Sequence, residues 1–231
     1  MTSIPVTTEH RTPQMALPGI LSYPLPRPEA LPAARAPWHI VPARAALLIH
    51  DMQRYFCAPF PQEAAPLPAV IDNIASLARA ARACGMPVFY TAQEGAQLRI
   101  DRGLQADLWG AGMSRRAEHQ DILPDLAPAP GDLVLTKHRY SAFQRSNLEP
   151  LMRARGRDQL LITGVYAHIG CLATAAEAFQ RDIEPFAIAD AQADFDAERH
   201  EMALRWVAGT CGGVIATRDA LAALTEVARC A

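Results

Sequence analysis

Apolar residues along this chain fall into short solid runs separated by stretches with helical spacing. The first run is Ala45-Ala46-Leu47-Leu48-Ile49, and it switches abruptly to polar His50, Asp51 and Gln53. Five apolar residues are too few for a free-standing helix and suit a parallel strand covered on both faces, here residues 45–50. Further runs predict strands over 87–93, 132–137, 159–166, 185–191 and 213–217. Between them the pattern turns helical. Residues 69–84 carry Ile71, Ile74, Leu77, Ala78 and Ala81 on one face, with Gly85 as a stop. Shorter helical patterns cover 117–126, 147–155 (Asn147 as cap, Gly156 as stop), 171–181, 196–208 and 218–229. Residues 94–118 show no clear period and contain Gly95, Gly103, Gly110 and Gly112, as a functional loop or lid would.

Six strands alternating with helices predict an α/β fold: three αβα layers, with a six-stranded parallel sheet between helices on both faces. Nothing after residue 45 reads as a linker, so residues 45–231 form one domain. Residues 1–44 precede it as an arm. There Pro18, Pro24, Pro26, Pro28, Pro32, Pro37 and Pro42 forbid helix and favour extended chain. Disorder is expected over roughly the first dozen residues.

Composition narrows the function. Half of the 231 residues are hydrophobic, enough for a sizeable core, and the net charge of -2 argues against a nucleic-acid surface. No apolar run reaches the ~20 residues of a membrane span, and residues 1–11 lack the order of a signal peptide. Five cysteines without zinc spacing read as reduced thiols in a cytoplasm. No GxGxxG or GxxxxGK loop follows a strand, so a nucleotide cofactor is not expected.

Candidate chemistry gathers at strand ends, where open α/β sheets place ligands. Asp51 follows strand one, Lys137 closes strand three, and Cys171 lies in the turn after strand four. Each has a plainer reading. Asp51 caps a following turn, Lys137 is solvated, and Cys171 packs at a helix start. A carboxylate, an ammonium and a thiol together favour a catalytic constellation.

These stretches carry a resemblance. ALLIHDMQRYF (46–56), YTAQ (90–93), WGAG (109–112), KHRYSAF (137–143), ITGVYAHIGC (162–171) and IADA (188–191) resemble the isochorismatases of the cysteine hydrolase superfamily, in family order. The SYPLP arm (22–26) is similar too. The resemblance implies a Rossmann-like isochorismatase fold and hydrolysis of isochorismate to pyruvate and 2,3-dihydro-2,3-dihydroxybenzoate, on the way to catechol siderophores. A phenazine-branch relative would act on 2-amino-2-deoxyisochorismate instead. By motif, Asp51, Lys137 and Cys171 match catalytic positions. Gln93, Arg102, Trp109, Tyr140, Tyr166 and Gly170 match substrate-binding ones. A non-proline cis peptide before Tyr166, a homodimer, and a carrier-protein or synthetase partner are also implied. His138 departs from the usual tryptophan and is expected to point away from the site. The chain ends at Ala231, soon after the sixth strand, so a stand-alone form without an aryl carrier domain is expected.

The implied chemistry needs no metal or organic cofactor. A pyruvyl enol ether has no acyl carbon for a thiolate, so Cys171 is assigned to the pocket wall and not to nucleophilic attack. Asp51 would protonate the methylene carbon. Burial and the substrate carboxylates would raise its pKa, with Lys137 turned toward a substrate carboxylate or orienting Asp51. Arg102 would grip a carboxylate, Gln93 and Tyr166 would hold polar groups, and Trp109 would exclude water. Two rivals remain. A nicotinamidase-like amidase would place an Asp-x-His metal motif after strand one, and residues 52–68 contain neither residue type. A non-catalytic binding protein would have no need of Asp51 and Lys137.

Overall fold

The computed structural model describes residues 17–228, with side chains to Thr225. The expected disorder of the first dozen residues, and Cys230, lie outside that range. From residue 45 the chain runs β1 (Ala45–His50), α1 (Arg54–Cys57), α2 (Leu67–Ala83), β2 (Val88–Ala92), α3 (Arg99–Arg102), α4 (Gln105–Trp109), α5 (Ala117–Gln120) and β3 (Leu133–Thr136). It continues α6 (Leu148–Arg153), β4 (Gln159–Val165), α7 (Leu172–Gln180), β5 (Glu184–Ala193), α8 (Ala197–Thr210), β6 (Gly213–Ile215) and α9 (Thr217–Ala228). All ladders are parallel, in the order β3-β2-β1-β4-β5-β6. The order reverses at the neighbours β1 and β4, which opens a crevice beyond their carboxyl ends.

β1 is apolar from Ala45 to Ile49, as a strand covered by helices on both faces requires. Leu47 and Ile49 face a core made with α2 and α9, whereas Ala46 and Leu48 face one made with α6, α7 and α8. Along the arm, Tyr23 is buried and Ile20 N–H donates to Pro59 O, so residues 17–44 pack on the domain.

Several boundaries differ from expectation. The helix expected over 117–126 stops at Gln120 and is followed by a 3-10 turn at Pro124–Leu126. Arg54 N–H and the Gln53 amide take the carbonyls of Asp121 and Gln120, and Pro124 has no N–H to continue the helix. The aperiodic stretch holds α3 and α4, each ended by a glycine at positive φ: Gly103 at 60° and Gly110 at 62°. Asn147 precedes α6 but makes no capping bond through its side chain. Ser146 Oγ accepts Leu148 N–H instead. The helix expected from Cys171 is preceded by a π turn, Ala167–Cys171, and α7 starts at Leu172.

Candidate active site

The crevice is lined by residues from four strand ends and the lid. Asp51 follows β1, Gln93 follows β2, Lys137 follows β3, Val165 ends β4, and Tyr166, Ile169 and Gly170 come from the turn after it. Arg102, Trp109 and Gly112 reach in from the lid, and Phe195 from beyond β5. They surround about 570 Å³ of atom-free space, part of it continuous with solvent.

Asp51 sits at the centre. Its backbone adopts φ +51°, a left-handed conformation unusual for a residue with a side chain and typical of functional turns. Lys137 Nζ lies 2.6 Å from Oδ2, Thr91 Oγ1 donates to Oδ1 at 2.7 Å, and Gln93 Nε2 donates to Oδ2 at 3.2 Å. Burial alone would raise the Asp51 pKa. The Lys137 ammonium and the donated hydrogen bonds outweigh it and hold the carboxyl below its ordinary value. The expectation of a raised carboxyl is therefore corrected, and of the two roles expected of Lys137 the contact fits the one in which it orients Asp51, not the one in which it turns toward a substrate carboxylate.

His50 is fully buried beside this pair. Its Nδ1 lies 2.9 Å from Val165 O and its Nε2 3.3 Å from Tyr140 O, and the single N–H of a neutral ring donates to one of these two carbonyls. Desolvation lowers its pKa to about 4, which keeps the ring neutral near neutral pH. Gly170 makes room for it: a Cβ there would stand 2.1 Å from His50 Cε1. Gly170 thus lines the cavity through backbone and shapes it by admitting the imidazole.

Arg102 is buried against the lid. Its Nε donates to Gly110 O at 2.6 Å, and a Cβ at Gly112 would meet its guanidinium carbon at 2.6 Å. It has no carboxylate partner among the described residues. Desolvation lowers its pKa, although a guanidinium stays charged. Trp109 Nε1 donates to Tyr140 Oη at 2.7 Å, and Tyr166 Oη donates to Phe56 O at 2.6 Å. Both hydroxyls are therefore anchored to protein, and the aromatic walls are preset. The peptide Val165–Tyr166 is cis, as the resemblance implied.

Cys171 is not brought to the cavity. It belongs to the core formed with α6, α7 and α8, and its Sγ lies 4.0 Å from Thr163 O. Burial pushes its thiol well above the ordinary value, the reverse of an activated nucleophile. Its assignment to the pocket wall is corrected: Cys171 ends the π turn with its side chain among core residues, near the Asp51–Lys137 pair but not lining the cavity. His138 does not line the cavity either, and its carbonyl accepts a bond from Gln105 Nε2 at 3.0 Å.

Sequence reasoning passed over Thr91, His50, Gln53, Tyr55, Phe195 and Leu17. Thr91 and His50 interrupt otherwise apolar strands, a signal that was available. Gln53 accepts Gln93 N–H at 2.7 Å and donates to Gln93 O and Gln120 O, so it joins the strand ends to α5. Phe195 and Leu17 reach the cavity from segments without a motif.

Fold and site together define a doubly wound α/β enzyme with a carboxylate–ammonium pair at its switch point. The family model of the isochorismatase domain matches residues 45–219. The chain is 48% identical over 207 residues to the isochorismatase of Bacillus subtilis (strain 168), covering 90% of this chain and 66% of that protein. It is 47% identical over 209 residues to enterobactin synthase component B of Escherichia coli (strain K12), covering 90% and 73%. Over 203 residues it is 47% identical to the phenazine biosynthesis protein PhzD of Pseudomonas fluorescens, covering 88% and 97%. A solved cysteine hydrolase from Pseudomonas syringae pv. phaseolicola superposes with a TM-score of 0.75 at 25% identity, covering 89% of this chain and 99% of that one. This chain belongs to the isochorismatase family of hydrolases.

Proposed function

We propose that this protein is an isochorismatase. It hydrolyses the enol ether of isochorismate to pyruvate and 2,3-dihydro-2,3-dihydroxybenzoate, in catechol siderophore biosynthesis. The observation that carries this reading is the charge arrangement: Asp51 and Lys137 neutralise each other, and Arg102 adds to the same cavity a cation that has no acidic partner among the described residues. Such a site suits a substrate that carries a carboxylate.

The Asp51–Lys137 pair holds one transferable proton. Movement along the 2.6 Å contact converts ammonium and carboxylate into amine and carboxylic acid. Thr91 and Gln93 favour the charged carboxylate, so a protonated Asp51 is a strong acid toward carbon. Asp51 delivers the proton to the methylene carbon as the alkene electrons form the new C–H bond. The ether carbon becomes an oxocarbenium ion. Water adds there and its proton returns to the Lys137 amine. The hemiketal hydroxyl then gives up its proton as the C–O bond to the ring breaks, and a proton passes to the departing ring oxygen, which releases pyruvate and leaves a ring hydroxyl. Arg102 binds a substrate carboxylate, and Trp109, Tyr140 and Tyr166 wall the site from bulk solvent while the one reacting water is admitted. No metal or organic cofactor enters this scheme, and Cys171 forms no bond in it.

The reading includes an arm of residues 1–44 before a hydrolase domain of 45–231. Four free cysteines among the described residues support a reducing cytoplasm. Exposed Leu98, Ile100, Leu104 and Leu108 support a homodimer or a carrier-protein or synthetase partner. The test is pyruvate release from isochorismate in EDTA, beside ammonia release from nicotinamide. Rapid pyruvate formation supports the reading, and ammonia without pyruvate overturns it. Similarity to the Pseudomonas fluorescens phenazine protein makes 2-amino-2-deoxyisochorismate the second substrate to compare.

A further inference from the structure

Beyond the end of β5 stands a buried carboxylate that the chemistry above does not use. Asp194 is wholly out of solvent and does not line the cavity. It nevertheless holds both segments of the aromatic wall. Oδ2 accepts His168 N–H at 2.6 Å, while Oδ1 accepts from His168 Nδ1 at 2.5 Å and from Phe195 N–H at 2.8 Å. His168 lies in the π turn between Tyr166 and Gly170. Phe195 packs on Tyr166 with ring centroids 4.5 Å apart and on His168 at 5.3 Å. Bonds to a buried carboxylate are short and strong, so the turn and Phe195 move as one unit.

The same residue is tied to the N-terminal arm. Tyr23 Oη accepts Asp194 N–H at 2.7 Å and lies 3.3 Å from His200 Nδ1. Six residues earlier, Leu17 lines the cavity directly. The arm therefore reaches the pocket twice, once by a side chain and once through Asp194.

We propose that Asp194 is a positioning residue for the turn 166–171, and that Tyr23 couples the seating of the arm to that turn. Asp194 acts through Tyr166 and Phe195 and does not touch the substrate. A wall that grips ground state and transition state alike affects KM more than kcat.

Tyr23→Phe removes one hydroxyl and keeps the ring, whereas Asp194→Asn keeps the shape and removes the charge. Both are tested in the full chain by hydrogen exchange over residues 167–171 and by steady-state pyruvate release. The expected result is exchange faster by at least about threefold, and KM higher by at least about fivefold with kcat within about twofold. Unchanged exchange or unchanged KM in Tyr23→Phe overturns the proposal, even with a lowered Tm, because a merely structural bond gives only the Tm. If Asp194→Asn does not fold, Tyr23→Phe decides alone. The kinetic arm rests on the proposed reaction. A wild-type protein that releases no pyruvate refutes that reaction, while exchange still decides the coupling.

Discussion

Lys137 Nζ and Asp51 Oδ2 stand 2.6 Å apart, with side chains only 3% and 6% exposed. They lie 86 positions apart along the chain and meet only because β1 and β3 flank β2 in the sheet. A buried ion pair gives little net stability, since desolvating two charges costs about what their attraction returns. Its place in the cavity is understood as chemistry.

Removing one partner therefore damages both properties. Asp51→Asn is expected to lower kcat by about 10³-fold and stability by about 3–5 kcal/mol, because a lysine is left buried without its anion. Lys137→Met has the same sign. The double variant regains much of the stability and none of the activity. Urea unfolding and pyruvate release measure the two halves.

His50 gives the protein a pH dependence of its own. Its folded pKa, about 4, lies below the ordinary 6.5, so the unfolded chain binds the proton more readily between these values. Its contribution is fully present above pH 6.5 and is lost as pH falls toward 4. The lost amount is about 3 kcal/mol, from the two values and ~1.4 kcal/mol per unit. Unfolding free energy measured from pH 7 to 4 should fall less steeply in His50→Gln than in the wild type. Equal slopes would show that His50 does not titrate in this way.

Gly112 tests Arg102 indirectly. Gly112 has φ +76°, and a Cβ would press within 2.6 Å of the guanidinium. Gly112→Ala should therefore resemble Arg102→Met, with KM raised by about 10- to 100-fold for a lost charge-assisted carboxylate contact. Steady-state kinetics of both variants provide the check. A normal KM in Arg102→Met would remove Arg102 from substrate binding.

Cys171→Ala should keep kcat/KM within about threefold and lose about 1 kcal/mol from a small vacated core volume. Thermal unfolding beside the activity assay separates the two effects. Loss of most activity with little change in Tm would return the thiol to the mechanism.

The sequence alone carried the fold class, because strand and helix periods are local and each buried run is written in consecutive residues. Leu47 and Ile49 against Ala46 and Leu48 show why: a strand covered on both faces must be apolar at every position. The motif residues Asp51, Lys137, Gln93 and Arg102 were legible as types at strand ends or in the lid. Tertiary structure decided what they do. The sheet order set Lys137 against Asp51 and so reversed the expected direction of the Asp51 pKa. Cys171, at the end of the π turn after β4, is packed in the core, a placement that no spacing rule encodes. Phe195, Leu17 and Asp194 entered the picture only through contacts across more than a hundred positions or from segments without a motif. Burial and electrostatic neighbours depend on which distant segments close around a group, and a linear pattern records only which groups are present.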